Sequence, residues 1–302
     1  MTNETTLELS ESLASLTEAG ARHVVRVDGR RAPASGVAWS PDLVITASHN
    51  VEWEEDLAVG LPDGRTVPAR LAGRDPSTDL ALLRLEGAGL AAPAWMGAEG
   101  LRPGQLLLGL TRPGRSVRAG LGLLARVADD WRTPAGGRLD RYLEAELALH
   151  PGFSGGLVLD LAGRAVGIGS AGLLRGTAMV VPFPTLRRVA EALLAHGQVR
   201  RGFLGVATVP VRLPPALARS GSGSGGLLDT AVEEDSPAGR AGLLLGDVLL
   251  SLGGQPTAQL ADLLPLLEEE RIGASLAARL LRAGEVREMP VTVGARPARS
   301  GR

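Results

Sequence analysis

Between Val24 and Val181 the chain is cut into short apolar runs, set apart by Gly, Pro and Asp turns. They are Val24–Val27, Gly36–Trp39, Leu43–Thr46, Leu80–Leu85, Leu106–Leu110 and Ala165–Ile168. Runs of this length, rich in Val, Leu and Ile, are too short for stable helices and long enough for strands. Many short strands leave many edges to hide, and closure into barrels hides them. A mainly β region is therefore expected. Helical spacing occurs beside it twice. Leu9, Leu13 and Leu16 place an amphipathic helix within residues 5–18, and Leu186, Val189, Ala190, Leu193 and Leu194 share one side of a helix over Thr185–His196, with Gly197 as its stop.

The 302 residues, 44% of them hydrophobic, suffice for two cores. With 32 basic and 33 acidic residues spread along the chain, no basic stripe argues for nucleic acid or a lipid surface. Every basic residue is arginine, and cysteine is absent, which excludes disulfides and thiol catalysis. No pair of histidines has metal-ligand spacing, so neither a metal nor a cofactor is expected. Gly167–Gly172 lacks the lysine and helix start of a phosphate loop. The start, Met1-Thr2-Asn3-Glu4, is polar and acidic, and no apolar run of signal-peptide or membrane-spanning length follows; the expectation is a cytoplasmic protein.

Three residues carry chemistry. A serine hydroxyl becomes nucleophilic when an imidazole removes its proton and a carboxylate orients that imidazole. His49 ends the apolar run Val44-Ile45-Thr46-Ala47-Ser48-His49, Asp79 lies in the turn Asp75-Pro76-Ser77-Thr78-Asp79 ahead of a strand, and Ser154 lies in Gly152-Phe153-Ser154-Gly155-Gly156. Glycines there allow a sharp turn, so that the amides of Gly152 and Ser154 can point at a developing oxyanion. The other candidates have simpler readings. His23 begins a strand, His196 sits in the last turn of a helix, Asp75 forms a turn before Pro76, and His150 is a loop residue near the substrate.

On these motifs the chain resembles the HtrA family of trypsin-like serine proteases. Thr46-Ala47-Ser48-His49-Asn50-Val51 stands against the family's Thr-Asn-x-His-Val-Val, and Asp75-Pro76-Ser77-Thr78-Asp79-Leu80-Ala81-Leu82-Leu83 against Asp-x-x-x-Asp-Leu-Ala-Val-Leu. His150-Pro151-Gly152-Phe153-Ser154-Gly155-Gly156 stands against Asn-Pro-Gly-Asn-Ser-Gly-Gly. The resemblance implies a mainly β architecture, a trypsin-like double β-barrel followed by a PDZ α+β domain. Its boundaries would be a helical segment over 1–20, the protease domain over 21–198 and the PDZ domain over 199–296. It also implies a serine endopeptidase that cleaves unfolded or misfolded proteins, with Leu149, Ser170 and Ala171 beside the scissile bond, selecting small or medium apolar side chains, and a homo-oligomer, a trimer in the family.

Arg201-Gly202-Phe203-Leu204-Gly205-Val206 is similar to the carboxylate-binding loop of PDZ domains, which would place Phe203, Leu204, Gly205 and Val206 around a peptide C-terminus. Asp235–Leu249 is similar to the PDZ helix, glycine turn and Gly-Asp strand. Ser220–Gly226 reads as a flexible loop inside that domain. Pro265 is expected to kink the groove helix over Leu260–Arg271. Phe153 beside the nucleophile keeps an alternative open: a catalytically silent protease fold acting as a PDZ peptide-binding or chaperone-like protein.

Overall fold

The computed structural model describes residues 3–28, 34–51, 56–213 and 224–296. Two compact units divide between Val199 and Arg200. The N-terminal unit holds two closed six-stranded barrels. In the first, β1 (Val24–Asp28), β2 (Ala34–Ser40), β3 (Leu43–Ala47), β4 (Ala58–Gly60), β5 (Thr66–Asp75) and β6 (Leu80–Leu85) close in the order β1-β2-β3-β6-β5-β4. Next come β7 (Leu106–Thr111), β8 (Arg118–Ala128), the short pair β9 (Trp131–Arg132) and β10 (Arg138–Leu139), β11 (Tyr142–Glu146), β12 (Leu157–Asp160), β13 (Ala165–Ser170) and β14 (Ala178–Pro182). The second barrel runs β11-β14-β13-β12-β7-β8. The six apolar runs of the sequence all become strands, several a residue or two longer at an end.

Strand periodicity explains why some of these runs are apolar throughout. On β6, Ala81, Leu83 and Leu85 fill the first barrel while Leu80 and Leu82 point outward. The outward residues are equally buried, because they join Leu110, Leu157 and Ile168 of the second barrel and Leu186, Val189 and Leu193 of the following helix. A strand covered on both faces has no polar side to show. Leu82 is 0% exposed at this junction. Leu82→Ala is expected to destabilise the protein by about 2–5 kcal/mol, through lost transfer energy and the cavity left behind, read as a lower denaturant midpoint with an unchanged slope.

Helix α1 (Asn3–Ala21) lays Leu13 and Leu16 against the same cluster. Helix α2 (Phe183–His196) begins two residues earlier than its periodicity suggests, with Pro184 in its first turn. It ends at Gly197, whose φ of 70° lets its amide return to the carbonyl of Leu193.

In the C-terminal unit β15 (Gly202–Phe203) pairs with β22 (Gly294–Ala295). The main sheet orders β16 (Val206–Arg212), β17 (Gly225–Val232), β18 (Val248–Leu252), β20 (Ser275–Arg282) and β21 (Glu285–Thr292), with β19 (Gln255–Pro256) on β18. Leu204, Leu227, Leu249, Leu252, Leu263, Leu280 and Val291 make its core. Helix α3 (Pro237–Ala241) is capped by the Ser236 side chain. Helix α4 is only Leu260–Leu263; from Leu264 the chain runs on as a 3-10 turn containing Pro265, which has no amide to give and whose ring crowds the preceding turn. Of the Gly-Ser stretch at 220–226, residues 220–223 lie outside the described residues.

Candidate active site

β3 delivers His49 on the 3-10 turn Ser48–Val51, and Asp79 ends the turn between β5 and β6 with φ 56°, a conformation Asp tolerates better than bulkier residues. The carbonyl of Asp79 accepts the Ser48 amide at 3.0 Å, and its carboxylate accepts the His49 amide at 3.1 Å, so strand pairing carries directly into the site. His49 Nδ1 lies 2.8 Å and 2.9 Å from the two oxygens of Asp79, and the Ser170 hydroxyl donates to Oδ2 at 2.5 Å. The carboxylate is 7% exposed and the imidazole 40%. An ionised carboxylate only accepts, so Nδ1 carries the proton and Nε2 is left basic.

Three consecutive residues bring the candidates together. Ser170 binds Asp79, Ala171 donates its amide to Ser154 Oγ at 3.1 Å, and Gly172 crosses the face of His49. A Cβ at Gly172 would lie 2.7 Å from His49 Nδ1 and 2.9 Å from Asp79 Oδ2, too close for either to stay in place. Gly172→Ala is therefore expected to lower kcat about 100-fold with the fold retained, checked by peptide hydrolysis beside circular dichroism. Of the three residues expected in the pocket, Ser170 has its hydroxyl turned to Asp79, Ala171 backs Ser154, and Leu149 is 42% exposed.

Ser154 follows the turn His150-Pro151-Gly152-Phe153, closed by the Phe153 amide on the His150 carbonyl at 2.9 Å, with Gly152 at φ 87°. Proline second and a positive-φ glycine third define a type II turn. The amides of Gly152 and Ser154 have no partner among the described residues, whereas those of Phe153, Gly155 and Gly156 are all taken. Phe153 does not obstruct the site. Its ring is 5% exposed inside the second barrel and sits over Gly169, where a Cβ would meet it at 2.8 Å. Two other histidines bond elsewhere: His23 Nδ1 to the Ala91 carbonyl at 2.6 Å, and His150 Nδ1 to the Pro151 carbonyl at 3.0 Å. Asp75, whose oxygens hold Ser77 and Thr78, is a turn former. No cluster that could hold a metal occurs among the described residues.

In the C-terminal unit, Leu204 and Gly205 lie between β15 and β16. Their carbonyls are taken by the amides of Ala238 and Glu233, each at 2.8 Å, while their own amides have no partner among the described residues.

Comparison with known proteins agrees with this geometry. The family model for the trypsin-like peptidase domain matches residues 34–168, and that for the PDZ domain residues 228–286. A probable periplasmic serine endoprotease, DegP-like, from Pseudomonas putida (strain W619) is 33% identical over 272 residues, 87% of this chain and 56% of the relative. Its counterpart from Pseudomonas savastanoi pv. phaseolicola is 32% identical over the same shares. The chain thus spans little more than half the length of these curated relatives. Among solved structures, the HtrA-type protease AlgW with tripeptide is 29% identical with a TM-score of 0.74, covering 96% of this chain and 99% of that one. AlgW with decapeptide is 25% identical with a TM-score of 0.76, covering 95% and 99%.

The relatives' names correct one expectation. A cytoplasmic location was read from the polar first residues, but the relatives are named as periplasmic. Compartment is set by targeting, which the composition of a folded unit does not encode, so the polar start was a poor guide. With its two barrels and its sheet in place, the chain carries a trypsin-like peptidase domain followed by a PDZ domain and is similar in fold and sequence to the HtrA-type proteases.

Proposed function

We propose that the protein is a serine endopeptidase that cleaves unfolded or misfolded polypeptides through an acyl-enzyme. Ser154 attacks the carbonyl, His49 takes the proton and returns it to the leaving amine, and Asp79 holds His49 in the Nδ1–H tautomer. The amides of Gly152 and Ser154 receive the oxyanion. The observation that carries this reading is the Asp79–His49 pair at 2.8 Å, joined to Ser154 through the consecutive residues Ser170 and Ala171. Leu149 and Ala171 flank the side chain before the cut, and Ser170 backs them, which favours small or medium apolar groups. The protease domain takes residues 21–198, preceded by the helical segment 1–20, and the PDZ domain residues 199–296. There Phe203, Leu204, Gly205 and Val206 surround a peptide C-terminus, which the amides of Leu204 and Gly205 receive. The names of the solved relatives, which record bound peptides, support peptide ligands. A periplasmic location and a homotrimer follow from the likeness to the family.

The experiment is labelling with a fluorophosphonate, which reacts with an activated serine. Stoichiometric labelling of the wild type that is lost in Ser154→Ala, with casein cleavage lost in parallel, is expected. A folded wild type that neither labels nor cleaves, with peptide activators present, overturns the reading.

A further inference from the structure

Every carbonyl from His150 to Ser154 is occupied. Those of His150 and Phe153 accept the amides of Phe153, at 2.9 Å, and Gly156, at 3.0 Å. The other three accept side chains: Pro151 from His150 Nδ1 at 3.0 Å, Gly152 from Ser35 Oγ at 2.7 Å and Ser154 from Asn50 Nδ2 at 3.0 Å. Ser35 and Asn50 come from the first barrel, whereas the nucleophile turn belongs to the second. Ser35 is 0% exposed. Its hydroxyl accepts the Arg112 amide at 2.9 Å, so its own proton must go to Gly152. Thr46 braces both residues, donating to the Ser35 carbonyl at 2.7 Å and lying 3.3 Å from Asn50 Nδ2.

A trans peptide carries its C=O and N–H on opposite sides, so holding a carbonyl aims the next amide. Fixing the Pro151 carbonyl fixes the Gly152 amide, and fixing the Phe153 carbonyl fixes that of Ser154. Turning the Pro151–Gly152 peptide would swing the Pro151 carbonyl toward the place of the oxyanion and leave the His150 ring without its acceptor. Turning the Gly152–Phe153 peptide would take the Phe153 amide off the His150 carbonyl, opening the turn, and leave the Ser35 hydroxyl without its acceptor. We propose that Ser35, Asn50 and His150 are positioning residues that hold the nucleophile turn in its working form before substrate arrives, with the two oxyanion amides already aimed. The proposal rests on the hydrolase reading above and adds to it that the turn is set by side chains of the first barrel together with its own His150.

The test compares Ser35→Ala, Asn50→Ala and Asn50→Asp with the wild type in the full chain, each at its pH plateau. It reads kcat and KM on a chromogenic peptide and the affinity of a peptide boronate, whose tetrahedral adduct fills the oxyanion position. The expected result for Ser35→Ala is a kcat lower by about 10- to 100-fold, with KM within about twofold and boronate affinity reduced by the same factor as kcat. Asn50→Asp, the same size but unable to donate, should lose more than Asn50→Ala, an order that a purely space-filling role reverses. Should Ser35→Ala not fold, the two Asn50 variants decide alone. A kcat and boronate affinity within about twofold of wild type in folded variants overturns the proposal, as does a loss confined to KM. Ser154→Ala separates the two readings: if it is inactive while the positioning variants are neutral, only this inference fails, and if it still cleaves, the hydrolase reading itself fails.

Discussion

Ser154→Ala is expected to lower turnover by about 10⁶-fold on casein or a peptide substrate, leaving only what substrate binding and the oxyanion amides supply. His49→Ala should cost nearly as much, and the double variant little more, because the proton has nowhere to go once either group is missing. Asp79→Asn is the more instructive change. The carboxylate accepts the His49 amide, His49 Nδ1 and the Ser170 hydroxyl, so all its donors point inward. An amide there would have to present its NH2 to one of them. If it faces the imidazole, the histidine adopts the other tautomer and Nε2 can no longer take a proton, for a loss of about 10⁴-fold. Initial rates and active-site titration of purified variants measure all four. Casein hydrolysis surviving in Ser154→Ala would assign the chemistry elsewhere.

Most of the framework behind that expectation was legible in the sequence. The unbroken Leu-Ala-Leu-Leu run of β6 goes with a strand buried on both faces, as it is here. His49, Asp79 and Ser154 stood out as candidates because each is a reactive residue type in a turn context that suits one role, and the pairing of the first two is seen in the structure. The supporting contacts were not. Ser35 lies 117 residues from Gly152, and Asn50 lies 104 from Ser154, so only closure of the two barrels against each other brings them together. Ser170 was expected beside the scissile bond, and its rotation toward Asp79 has no sequence signal. Phe153 kept the silent alternative open because sequence alone does not give ring direction. Gly169, the residue that makes room for it, is distant in the chain.

Raising the pH from 5 to 8 is expected to weaken the C-terminal unit, and the cause is Asp229. Along β17 it falls on the same face as Leu227, so strand alternation turns a carboxylate toward the core. It is 1% exposed, and neither side-chain oxygen has a partner among the described residues. The neighbouring Asp247 takes Arg282, accepting its Nε at 2.8 Å and Nη2 at 2.7 Å and the Leu244 amide at 2.8 Å, which holds its own carboxyl below the usual range. Asp229 is left with burial and the repulsion of Asp247, which push its carboxyl up from 3.8 to about 7. The folded state therefore holds a proton that the unfolded chain releases near pH 4, and folding becomes less favourable as pH rises through this window. Above pH 7 both states are ionised and the full penalty applies, on the order of 4 kcal/mol. Asp229→Asn removes the charge at constant size. In urea melts of the full chain, the wild-type transition of this unit should shift to lower urea between pH 5 and pH 8, while that of the variant stays level and lies above wild type at pH 8. A wild-type midpoint that does not move with pH, or a variant less stable at pH 8, would show that water or rearrangement solvates this carboxylate.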